Sequence, residues 1–214
     1  MSERTDRIRW QLVSGLLRRF HLERFTERYP HHVVLALFNF VNGTLSIGLI
    51  ATVALFTHQA FIFPSLGATA FILFHQPLAE AASPRNVLCS HFLGALCGWL
   101  CLALFGLQDE PSAFIEGMDL ARVGAAALAL GSTAGLMALL RIPHPPAGAT
   151  SLVVSLGLMP ALAQIPVLLA GVMLLLAQAF LLNRLAGIPY PLWAPPIGDD
   201  DGPPGAPGLP GSRS

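Results

Sequence analysis

Two short segments carry the residue types that could do chemistry in this chain. One reads Pro64-Ser65-Leu66-Gly67-Ala68-Thr69, the other Pro145-Pro146-Ala147-Gly148-Ala149-Thr150. They are offset by 81 residues, and Pro, Gly, Ala and Thr coincide. Proline is favoured at the first position of a helix, and Pro64 and Pro146 fit that place. A residue before proline is pushed out of the α region, so Phe63, His144 and Pro145 are expected to be extended. Neither helix offers Ser, Thr, Asp or Asn at the expected N-cap. The first-turn amides of Ser65, Leu66 and Gly67, and of Ala147, Gly148 and Ala149, are therefore expected to lack a side-chain cap. Bare amides at the positive end of a helix dipole favour an anion, and glycine lets a ligand approach the backbone closely. The chemistry expected of Ser65, Gly67, Thr69, His144, Gly148 and Thr150 is the binding of a small anion. His144 is the only ionisable side chain at the second helix start. It could donate to the anion or carry a proton with it, or it could cap backbone carbonyls. Ser65, Thr69 and Thr150 have the alternative of bonding back to their own helices. His58, His75 and His91 are expected at the interface or hydrogen-bonded within the bundle.

The elements that position these segments are membrane helices. The chain is 54% apolar and 11% charged, against about 25% charged in soluble domains. No Asp, Glu, Lys or Arg occurs in 33–79, 86–108, 123–140 or 142–183. A spanning helix takes about 20 apolar residues. The second and third runs fit one crossing each, and the first and fourth suit two. The expected order is a helix over 33–57, a short segment over 58–77, helices over 86–106 and 121–140, a short segment over 142–158 and a helix over 162–183. Asn39, Asn42 and Thr44 are expected to face other helices. Two GxxxG pairs, Gly94 with Gly98 and Gly131 with Gly135, are expected to pack helices closely within the fold rather than to drive dimerisation. A homo-oligomer remains open as a partner state.

Outside this core, residues 5–28 read as an amphipathic helix in the membrane interface, with Ile8, Leu12, Leu16 and Phe20 on one face and arginines beside it. Its alternative is a helix docked on the protein's own loops. The tail 194–214, rich in Pro, Gly and Asp, is expected to be disordered. The domains are thus 1–31, an interfacial helix; 32–193, a transmembrane domain; and 194–214, a tail.

The chain reads as two units of helix, short segment and helix. If every segment crosses, Arg85, Arg141 and Arg184 share one side with the N-terminal arginines. The acidic loop with Asp109, Glu110, Glu116 and Asp119 falls on the other side, with Arg122 as the exception. That obeys the positive-inside bias with a cytoplasmic N-terminus. The expected fold is all-α and integral to the membrane. It has about six membrane helices, two of them short half-helices, in two inverted three-element repeats, a plan recurrent in transporters. A first helical stretch over 64–76 would run roughly 20 Å against a hydrocarbon core of about 30 Å. Its approach through 58–63 must then be partly extended inside protein or beside water.

Ile142-Pro143-His144-Pro145-Pro146-Ala147-Gly148-Ala149-Thr150 resembles the signature of the HPP family of membrane proteins. Ser65-Leu66-Gly67-Ala68-Thr69-Ala70 resembles its first small-residue motif. Pro84-Arg85-Asn86-Val87 with His91 resembles its Pro-Arg-Asn…His segment, and Tyr190-Pro191-Leu192-Trp193 its closing Tyr-Pro…Trp. The likeness covers about 33–193, in order. One departure is Cys89-Ser90, where the family pattern has glycines before the histidine. The resemblance implies a membrane domain usually described with four spanning helices, and gives Pro84, Arg85, Asn86, His91, Pro145 and Pro146 as motif residues. Some relatives are associated with nitrite transport. Others carry nucleotide-binding domains of a kind this sequence does not contain.

The expected function is a transporter or channel for a small inorganic anion, with nitrite as a candidate, in the bacterial inner membrane. The alternative is a non-transporting structural or sensory subunit. The absence of acidic residues from the apolar runs argues against a carboxylate-based proton or metal pathway. An enzyme would need a nucleophile with a base, or a metal cluster, and the histidines and cysteines are scattered. No cofactor is expected. Cys89, Cys97 and Cys101 read as buried free thiols rather than a disulfide framework or a metal site. The lipid bilayer and the anion are the expected partners. Nucleic acid is not one, because no basic stripe with aromatics occurs.

Overall fold

Prolines and glycines set where the helices start and stop. The computed structural model describes residues 28–59 and 62–194. The expected interfacial helix and nearly all of the tail lie outside the described residues. The described residues form seven α-helices and no strand: α1 (His31–Thr57), α2 (Pro64–His75), α3 (Pro84–Leu104), α4 (Ala113–Glu116), α5 (Leu120–Leu139), α6 (Pro146–Ser155) and α7 (Gln164–Leu185). Pro64, Pro84 and Pro146 each open a helix. Phe63 and Ser83 before the first two are extended, as a residue preceding proline should be. Pro145 is not; it is already helical, at φ −51° and ψ −35°. The Ala147 and Gly148 amides bond back to the His144 and Pro145 carbonyls, and those bonds pull the turn one residue earlier than the proline rule suggests. Gly157 and Gly187, at φ 79° and 83°, close α6 and α7 in the left-handed region that glycine tolerates.

Four helices, α1, α3, α5 and α7, are long and apolar enough to cross a membrane. With 12 and 10 residues, α2 and α6 measure about 18 and 15 Å, too short to cross alone.

The central helix is α3, packed against α5, α6 and α7. Gly94 faces the Ala147 carbonyl and Gly98 the Ser151 carbonyl, so α3 and α6 run side by side in the same direction. The first residues of α6 therefore lie level with the middle of α3. By contrast, α1 and α2 run antiparallel: Phe38 packs edge-on against Phe74, Asn39 bonds His75, and Gly43 and Ile47 share a cleft with Gly67.

The loops sort to two ends. At one, the Arg85 amide donates to the Trp193 carbonyl, the Arg85 guanidinium reaches the Arg141 carbonyl, and the Tyr190 hydroxyl donates to the Ala82 carbonyl. At the other, the Ala113 amide donates to the Leu156 carbonyl. There Arg122 is clamped by Asp119 at 2.6 Å and Glu116 at 3.0 Å. The Arg122 amide, then its guanidinium, hold the Asp119 carboxyl below the usual carboxylate range. Arg122, the exception in the charge pattern, is thus a cation neutralised by the acidic loop beside it.

Two expectations about helix faces are corrected. Thr44 is exposed while Asn42 is buried, because the buried line of α1 runs through Val34, Asn42, Ser46 and Ile50. Gly94 and Gly98 pack within the fold, but Gly131 and Gly135 do not; nothing lies within 4 Å of a Cβ at either. The buried line of α5 is Arg122, Ala125, Ala129, Thr133 and Met137, and the glycines fall on the far side.

Candidate functional site

Five polar side chains from four parts of the chain meet between α2, α3 and α6. Ser65 and Thr69 lie one turn apart on α2, Thr150 is in the second turn of α6, His91 is on α3, and His144 is in the loop before α6. The Thr150 and Ser65 hydroxyls are 2.9 Å apart. His91 sits between two threonines: its Nδ1 is 2.7 Å from Thr150 Oγ1, and its Nε2 is 2.9 Å from Thr69 Oγ1. His144 Nε2 is 3.1 Å from the same Thr69 oxygen, and its Nδ1 is 2.7 Å from the Ala81 carbonyl. The two rings lie 5.0 Å apart at 59°. Thr69 can also bond back to the Ser65 carbonyl at 2.9 Å. All five residues are at most 1% exposed.

Local sequence explains the placement. Thr69 and Thr150 match under the 81-residue offset, and each follows its helix-opening proline by about one turn. Gly94 and Gly98 let α6 approach α3 to backbone contact, which brings Thr150 within reach of His91. Ser90, at the departure from the family pattern, donates to the Ile142 carbonyl and pins the His144 loop to α3. Burial at Ser90 is complete, so a small hydroxyl serves where glycine would.

Of the expected anion-binding residues, Ser65, Thr69, His144 and Thr150 come together. Gly67 and Gly148 do not join them. Gly67 opens onto a cleft of about 230 Å³ between α1 and α2, beside Asn39 and Phe71. Gly148 is buried, with the end of Leu130 at 3.0 Å from where its Cβ would be. The amides of the two helix starts lack side-chain caps, as expected. They are not all bare, however: Leu66, Ala147 and Gly148 donate to the Phe63, His144 and Pro145 carbonyls. The first turns tighten into 3₁₀ geometry and satisfy their own donors. What faces the centre is mainly side-chain hydroxyl and imidazole rather than open amide.

The motif residues divide by role. Pro84, Pro145 and Pro146 shape helix starts. Arg85 bonds the Asn86 side chain and the Arg141 carbonyl, and Asn86 donates to the Glu80 carbonyl. Together they lace three loops at one end of the bundle. His91 is the residue that sequence reasoning undervalued, reading it as one histidine among several. The available signal was its position just beyond Pro84-Arg85-Asn86, early in the charge-free run 86–108. The Ala81 carbonyl carried no signal at all.

A family model described as HPP, transmembrane region, matches residues 28–191. No curated protein and no solved structure matches the chain. The match takes in both short helices, the Pro-Arg-Asn segment, both site histidines and Tyr190, and on that extent the chain belongs to the HPP family of membrane proteins.

Proposed function

We propose that this protein is a membrane transporter for a small inorganic anion, with nitrite as the leading candidate. The site lies where two short helices of inverted sense converge. The observation that carries the reading is the junction of Ser65 on α2 with Thr150 on α6, bridged by His91 to Thr69. A hydroxyl-and-imidazole cluster set among apolar helices is costly to bury and is retained where polar groups serve a function. The opposed directions of α2 and α6 support two inverted units. In that arrangement the chain leading into Pro64 and Pro146 completes the crossings that the short helices cannot make alone. The clustering of Arg85 and Arg141 at one end supports a cytoplasmic N-terminus in a bacterial inner membrane.

The test is uptake into proteoliposomes of nitrite, nitrate, formate and chloride, each against empty vesicles. At least one is expected to cross faster with protein; failure of all four removes the proposal. Thr150→Val, which keeps the side chain's size but removes the hydroxyl that meets Ser65 and His91, is expected to abolish flux while leaving the protein folded. Folding is checked by elution in detergent, and retained flux would take the start of α6 out of the pathway.

One observation favours a second reading, a non-transporting structural or sensory subunit. The cluster is closed, and its hydrogen bonds run within the protein. A transporter must open it, so accessibility decides between the two. A cysteine at Thr150 modified by a thiol reagent only when anion is present supports transport. Protection under all conditions supports the subunit.

A further inference from the structure

The geometry points to a proton carried with each anion, lodged on His144 through a vacancy built into the hydrogen-bond network. This deepens the transport reading above and rests on it.

The argument is a count of hydrogens. Six polar contacts join the cluster: Ser65 to Thr150, Thr150 to His91, His91 to Thr69, Thr69 to His144, His144 to the Ala81 carbonyl, and Thr69 to the Ser65 carbonyl. Each needs one hydrogen. With both rings neutral, the three hydroxyls and two imidazoles supply at most five, so at least one contact goes unfilled.

Which contact lacks a hydrogen follows from the Ala81 carbonyl. A carbonyl only accepts, so His144 holds its hydrogen on Nδ1, and a neutral His144 presents a bare Nε2 to Thr69. The Thr69 hydroxyl then has two acceptors, that nitrogen and the Ser65 carbonyl, and one hydrogen for both. A proton on His144 Nε2 removes the conflict. His144 donates to the Thr69 oxygen, the Thr69 hydroxyl turns to the Ser65 carbonyl, and His91 keeps its Nε2 hydrogen on Thr69. Its Nδ1 then accepts from Thr150, whose hydroxyl turns away from the Ser65 oxygen it otherwise donates to, and Ser65 donates to Thr150 in its place. All six contacts are then filled.

One gained hydrogen bond does not offset burial of a bare cation. No carboxylate bonds either ring among the described residues. Arg85 is engaged with Asn86 and the Arg141 carbonyl, Arg122 with Asp119 and Glu116, and Glu80 is exposed. His75 bonds Asn39 instead. The countercharge must come from the transported anion, and this couples the two. The step is a single proton transfer. A hydronium O–H bond breaks, the His144 Nε2–H bond forms, and water remains. The reverse transfer releases the proton as the anion leaves.

The test uses the full chain in liposomes holding a pH-sensitive dye, with external nitrite or nitrate and empty vesicles subtracted. About one proton is expected to enter per anion, and an inward proton gradient should drive uphill accumulation. His144→Gln, which cannot take the proton, is expected to lose accumulation by about a hundredfold, while Thr69→Ser, which keeps the hydroxyl, retains it. Anion uptake with no acidification overturns the proton step and leaves transport standing. Absence of any anion flux overturns both. Should His144→Gln fail to fold, nitrogen NMR of ¹⁵N-histidine protein decides: saturating nitrite should convert one ring from singly to doubly protonated, and two rings that stay neutral overturn the proposal.

Discussion

The same four-residue spacing of glycine occurs on α3 and on α5, and the two pairs meet opposite surroundings. Gly94 and Gly98 sit against carbonyl oxygens of α6; a Cβ at Gly98 would come within 2.6 Å of the Ser151 oxygen. Gly131 and Gly135 look into open space. The difference shows what the motif contributes. Spacing puts two small residues on one helix face, and the neighbours decide whether that face is a seam. On α3 the seam also sets the distance from His91 to Thr150. On α5 the core is met by Ala125, Ala129 and Thr133 instead.

The comparison can be broken by adding methyl groups. Gly94→Ala and Gly98→Ala should be the most damaging, since backbone atoms cannot step aside. About 1–3 kcal/mol of stability each is expected to be lost, read as a lower unfolding midpoint in detergent. A neutral result at both would mean the seam is looser than described. Gly124→Ala sharpens the scale: its Cβ would meet the Phe105 ring edge at 2.5 Å, and a half-buried ring can rotate away, so a cost of about 1 kcal/mol or less is expected. Gly131→Ala and Gly135→Ala should be the mildest and of opposite sign, each gaining about 0.5–1 kcal/mol from helix propensity. A destabilisation there would reveal that something packs on that face in the membrane, a second copy of the chain included.

Much of the fold was legible because lipid imposes strong rules. Charge-free runs marked the four long helices, whose ends fall within about two residues of expectation. Pro64 and Pro146 marked the short helices because proline both permits and enforces a start. The repeat of Pro, Gly, Ala and Thr pointed to Ser65, Thr69, His144 and Thr150 as one site. Gly67 and Gly148 fall outside that cluster for a common reason. Permissive backbone geometry does not say which way a residue faces, and one faces a cleft beside α1 while the other packs under Leu130. Thr44 and the second glycine pair failed on the same point. Helices with apolar residues all round carry little amphipathic signal, so periodicity cannot choose their buried face.

The sequence by itself determined the membrane class, the helix order, the pairing of the two short segments and the family. The first three follow from composition and from the fixed conformational habits of proline and glycine; the family follows from the resemblance of its ordered motifs. Only the tertiary structure decided that His91 bridges the matched threonines, that His144 is oriented by the Ala81 carbonyl, and that the first-turn amides are largely spent on their own chain. Those outcomes depend on contacts between segments far apart in the chain, at distances of about 3 Å. At that range the packing of glycine against carbonyl settles which polar atoms meet.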